Sequence, residues 1–174
     1  MNDNLKNFKE WYVRILQDLY DTREAGFVIL MVAFPLLERY LREKSGVHEG
    51  TLKSNKRFYD ELRAILPELR DQETARQFWG AYRHGLLHQV TISLKQHQGN
   101  EIDVWMVTHD IGDILYQHSN GDFFMHPVNF AEKVIDVIEN DFPTFEGPNS
   151  PGHPLPTVRQ VAPTILGTGA HNPP

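Results

Sequence analysis

Phe78-Trp79-Gly80-Ala81-Tyr82-Arg83-His84-Gly85-Leu86-Leu87-His88-Gln89 is the stretch on which the fold of this 174-residue chain turns. Its large side chains recur at helical spacing. At about 100° per residue, Ala75, Phe78, Trp79, Tyr82 and Leu86 gather on one side, which must face a core. Arg83 and His88 stand about 140° apart by the same arithmetic, flanking the opposite side. Between them lie Gly80, His84 and Leu87. A solvated helix face has little use for a glycine and a leucine in line, whereas a face closely approached by another surface uses both. The expected surface is a second copy across a two-fold axis, making a homodimer with Gly80 and Leu87 at its interface. A strand of the same chain against Gly80 and Leu87 is the alternative.

Upstream of this helix the sequence predicts three more. The first covers about residues 5–20, with Phe8, Tyr12, Ile15, Leu16 and Leu19 at helical intervals. The second covers about 22–44 and stops at Ser45-Gly46. It is apolar almost all round between Phe27 and Leu37, which makes it the central buried helix. Pro35 is expected to kink or split it. A third helix spans about 54–66 and ends before Pro67, and Asp71 is the natural N-cap of the fourth.

After Gln89 the pattern changes from helical to alternating. Val90-Thr91-Ile92-Ser93-Leu94, residues 102–107, residues 113–118 and residues 122–125 read as short strands. Asn120-Gly121 between the last two is a hairpin signal. Helical spacing returns after Pro127, with Phe130, Val134, Val137 and Ile138 on one face. From Pro143 the chain holds eight of its eleven prolines and two charged residues, which predicts extended, irregular structure. The expected fold is mainly α: a bundle of four to five helices in residues 1–142, with a small antiparallel β insertion at about 90–126 after the motif helix. Residues 143–174 form a tail.

Composition sets broad limits. The chain is 40% hydrophobic and 23% charged, ordinary values for a soluble globular domain. It has no cysteine, which removes disulfides and thiolate metal sites and suits a reducing compartment. The apolar run 25–37 is too short to span a bilayer, and Met1-Asn2-Asp3-Asn4-Leu5-Lys6 lacks a signal peptide's apolar stretch. A cytoplasmic protein with no membrane contact is expected. The net charge of −6 is uneven, +2 over residues 1–95 and −8 over 96–174. A basic series (Lys53, Lys56, Arg57, Arg63, Arg70, Arg76) leads into Arg83.

An arginine and a histidine on one helix can bind a phosphate, stabilise its developing charge and move a proton. In RNA the 2′-hydroxyl is an internal nucleophile. Cleavage then needs no metal if a base removes its proton and a cation steadies the phosphorane. His84 and His88 are also spaced i, i+4, as two imidazoles sharing a metal would be, with His48 or Glu38 the only third ligand in view. Arg83 beside them would repel a metal cation, so neither metal nor other cofactor is expected. His97, His109, His118 and His126 read as surface or packing residues.

The order of elements, the acidic residue late in the second helix (Glu38 in Phe34-Pro35-Leu36-Leu37-Glu38-Arg39) and Arg-x4-His on the fourth resemble the HEPN superfamily. The octapeptide Tyr82–Gln89 is similar to the Arg-x-Gly-Leu-Leu-His-Gln form of one bacterial HEPN-like group. A small sheet and a segment like His126-Pro127-Val128-Asn129-Phe130 often follow it there. The resemblance covers about residues 5–140. It implies a dimeric, metal-independent endoribonuclease in which Arg83 contacts the scissile phosphate, His88 transfers a proton, His84 assists and Glu38 supports them. A toxin or defence role, with an antitoxin or other protein encoded elsewhere as partner, belongs to that reading. A non-catalytic dimeric module that binds a nucleotide or a protein partner is the other reading the family allows.

Overall fold

Phe8 and Leu16 turn inward from the first helix, α1, over residues 3–19. The computed structural model describes residues 3–47, 55–89, 105–119 and 121–147, without the side chains of 84 and 87–89. In α1, α-helical Asp3–Phe8 and Arg14–Leu19 are joined by a π-helical turn, Lys9–Val13. A π turn closes on the fifth residue rather than the fourth, so it rotates the second α-helical segment relative to the first. Ile15, in step with the core residues on α-helical counting, is left 49% exposed.

After a 3₁₀ turn at Arg23–Ala25, helix α2 runs unbroken from Gly26 to Ser45. Pro35 neither ends nor splits it, contrary to the sequence expectation. The ring stands on the helix's exposed side. There, water can take the carbonyl that its missing N–H leaves. Gly46 stops the helix at φ 71°, and its N–H donates to the carbonyls of Arg42 and Glu43. Asn55 caps α3 (Lys56–Ile65), accepting from the Phe58 N–H at 3.1 Å. Asp71 caps α4, accepting from the Thr74 N–H at 2.8 Å. Helix α4 is α-helical over Gln72–Phe78 and π-helical over Trp79–Gln89.

Phe34 of α2 joins the layers. Its ring centroid lies 4.7–6.2 Å from those of Phe78, Trp79 and Tyr82 on α4 and of Phe130 on α5 (Pro127–Asn140). Ala75, Phe78, Trp79, Tyr82 and Leu86 are all buried, as the helical spacing predicted. Short helix α6 (Phe142–Glu146) sets Phe142 and Phe145 against Phe8. The irregular stretch expected from Pro143 therefore starts, within the described residues, no earlier than Gly147.

The sheet has strands β1 (Trp105–Val107), β2 (Leu115–Gln117) and β3 (Phe123–Met125) in the order β1-β3-β2. The predicted hairpin is present: β2 and β3 are antiparallel, and Gly121 turns between them at φ 98°. The expectation of a purely antiparallel sheet is corrected, because β1 pairs with β3 in parallel, Trp105 beside Phe123. Residues 108–114 carry the chain off the β1 edge and return it one strand further out, leaving a slot that β3 fills. Alternation specifies which face a residue takes, not which neighbour its strand meets. The expected strand at 90–94 lies outside the described residues. In all, the described residues form a mainly helical fold of six helices with a small three-stranded mixed sheet.

His126 caps α5, its Nδ1 accepting from the Asn129 N–H at 3.1 Å. Its ring lies 5.2 Å from that of His109. Burial, and then the charge of His109, hold its pKa below the ordinary 6.5. The unfolded chain therefore takes up this proton more readily than the folded one. The cap's contribution is complete above the unfolded value and is lost as pH falls through the depressed folded value. Stability to urea should fall between about pH 7 and pH 5, and His126→Asn, which keeps a capping side chain but cannot titrate, should flatten that slope. An unchanged slope in the variant would show that His126 is not its source.

Candidate functional site

Glu38 is the one glutamate on α2 turned inward: its side chain is 11% exposed. An unpaired carboxylate at such depth would be costly. Two arginines prevent that. Arg42, one turn along the same helix, donates from Nε to Oε1 at 2.9 Å, with Nη2 at 2.8 Å from the same oxygen. Arg83, from α4, donates from Nε to Oε2 at 2.7 Å. Each carboxylate oxygen thus holds a different guanidinium. The arginines keep partial access to solvent, 19% for the Arg83 side chain and 28% for Arg42.

Arg83 stands on the π-helical part of α4. This changes the geometry read from the sequence. With α-helical winding, positions 83 and 88 are far apart around the axis. A π-helix turns less per residue than an α-helix, so positions five apart lie closer together around its axis. The backbone of Arg83 and that of His88 therefore lie nearer to one side of the helix than α-helical counting places them. The neighbouring Tyr82 secures the same segment from the core side, donating from its hydroxyl to the Met106 carbonyl of β1 at 2.7 Å. Burial raises the Tyr82 pKa far above its usual range, so this hydroxyl keeps its proton.

The structure thus brings together two of the sequence-selected residues, Arg83 and Glu38. The side chains of His84, His88 and Leu87 lie outside the described residues, as does His48. Gly80 is half-buried. Among the described residues, no group of three or more His, Asp or Glu side chains converges as a metal site would require. Sequence reasoning missed Arg42. The signal was there: a glutamate in an otherwise apolar helix needs a cation, and Arg42 is at the i, i+4 position that supplies one.

Comparison with protein-family models, with curated proteins and with solved structures finds no match to the chain. The functional reading therefore rests on the residues and their geometry.

If Glu38 joins α2 to α4 through charge, Glu38→Gln keeps the shape but leaves two guanidiniums against a neutral amide. We expect a loss of about 1–3 kcal/mol in urea denaturation, tempered by the arginines' solvent access. Arg42→Ala, which removes only a local pair, should cost less. Equal costs for the two would deny Glu38 its bridging role.

Proposed function

We propose that the chain is a HEPN-like, metal-independent endoribonuclease that cleaves RNA by attack of the 2′-hydroxyl. One observation carries this reading: the ionic bridge to Glu38 that fixes Arg83 on a π-helical segment, on the same side as position 88. Arginine is planar and permanently charged, suited to steadying a phosphorane. Histidine near its ordinary pKa is suited to taking the 2′-hydroxyl proton and returning one to the 5′-oxygen. In this assignment Arg83 contacts the scissile phosphate, His88 transfers the proton and His84 assists. Glu38 and Arg42 hold Arg83 in place. The product ends are a 2′,3′-cyclic phosphate and a 5′-hydroxyl.

A second reading has an observation of its own. Arg83 already donates to Glu38 at 2.7 Å, so a phosphate must share or displace that carboxylate. That competition suits reversible binding, and a dimeric module that holds a nucleotide or a protein partner without cleaving would use the same cluster.

Purified protein incubated with single-stranded RNA in EDTA separates them. The nuclease reading predicts cyclic-phosphate products and a loss of about a hundredfold or more in rate for His88→Ala, with the fold retained by circular dichroism. Arg83→Ala should be similarly impaired. Cleavage at the parental rate by His88→Ala would refute the assignment. An inert parent that binds a nucleotide through Arg83 would favour the module.

A further inference from the structure

Among the described residues, helix α2 is covered on one side only. On the other, Phe27 and Val28 are 42% and 50% exposed. Pro35 is exposed too, and Met31 and Val32 are half-buried. At about 100° and 1.5 Å per residue, these five fall within an arc of about 140° and a length of about 12 Å. They form one apolar stripe along the helix, of the kind that marks an interaction surface.

The ends of the stripe carry opposite charge. Asp21 and Glu24 are exposed at its N-terminal end, where Arg23 is already ion-paired with Asp110 at 3.3 Å. Arg39 stands at the C-terminal end. It donates to the Phe145 and Glu146 carbonyls at 2.9 and 3.1 Å, neutral acceptors, and its guanidinium lies over the Phe145 ring. A stripe with an acidic and a basic end is self-complementary when turned end for end.

We propose that this stripe is the contact between two copies of the chain, with α2 packed antiparallel to α2 of the second copy. A two-fold axis passing between Met31 and Val32 sets Met31 beside Met31 of the second copy, Val32 beside its Val32, and Val28 against its Pro35. The same operation sets Glu24 opposite the second copy's Arg39, twice over. A parallel pair would oppose acid to acid and base to base. The contact is isologous, as a closed dimer requires. It is centred on α2 rather than on the Gly80–Leu87 line, and it does not depend on the nuclease reading, whose chemistry uses no residue of the stripe.

The chain has no cysteine, so an introduced thiol is the only one present. Val28→Cys and Pro35→Cys chains, mixed and oxidised, should give mainly the mixed 28–35 disulfide dimer. Met31→Cys should cross-link to itself. Both substitutions in the mixing experiment are on the exposed side, and Pro35→Cys improves helix propensity, so folding is not at risk. By sedimentation equilibrium the parent should be a dimer at micromolar concentration, and Val28→Glu with Val32→Glu should weaken association by about tenfold or more while circular dichroism stays unchanged. A monomeric parent, a parental dissociation constant in the double variant, or preferential 28–28 cross-linking would each overturn the proposal.

Discussion

A single carboxylate, that of Glu38, ties the central helix to the segment that carries the candidate chemistry. Its two oxygens are shared between Arg42, on its own helix, and Arg83, on α4. Removing a carboxylate from water is favourable only when its partners are well placed, and charge-assisted bonds of 2.7–2.9 Å meet that condition. The π-helical stretch Trp79–Gln89 depends on such anchoring, because long π-helices are rare and their winding has to be stabilised by their surroundings. Here it is held on two sides, by Arg83 to Glu38 and by Tyr82 to the β1 backbone. Phe34 packs against Phe78, Trp79 and Tyr82 beneath it, so the apolar core and the ionic bridge fix the same few residues.

Much of this was legible in the sequence, for local reasons. Asp71 and Pro127 mark helix starts because capping and proline geometry are decided within one turn, and Gly46 marks a stop because its φ of 71° suits glycine. The core side of α4 came from spacing alone. The features that escaped depend on contacts distant in sequence or on winding. The parallel partnership of β1 with β3 is set by the path of residues 108–114, which alternation cannot reveal. The π windings at Lys9–Val13 and Trp79–Gln89 moved Ile15 outward and brought positions 83 and 88 nearer to one side, and counting at the α-helical angle hides both effects. At the site, Glu38 was singled out only through the family resemblance, as an acidic residue late in the second helix. Arg42 was legible on local grounds too, since it stands one turn from Glu38 at the i, i+4 spacing that pairs a glutamate with an arginine.

The same arrangement constrains what the site can do. Arg83 serves structure and chemistry at once, and its charge is shared with a carboxylate, so an arriving anion meets a guanidinium already engaged by Glu38. The acidic C-terminal half of the chain offers no general attraction to a polyanion. Recognition of RNA on this scheme is local, made by the cluster and the helix that bears it.

The Arg83–Glu38 bond underlies both the fold of α4 and the proposed chemistry, and NMR reads that bond directly. An Nε–H donated to a nearly buried carboxylate exchanges slowly with water, whereas an exposed arginine's exchanges quickly. In the ¹⁵N spectrum the Arg83 Nε–H, assigned by its loss in Arg83→Lys, should be a resolved, protected signal that loses its protection in Glu38→Gln. An Arg83 signal that exchanges as fast as an exposed arginine's in the parent, or one left unchanged by Glu38→Gln, would contradict the bridge and the site built on it.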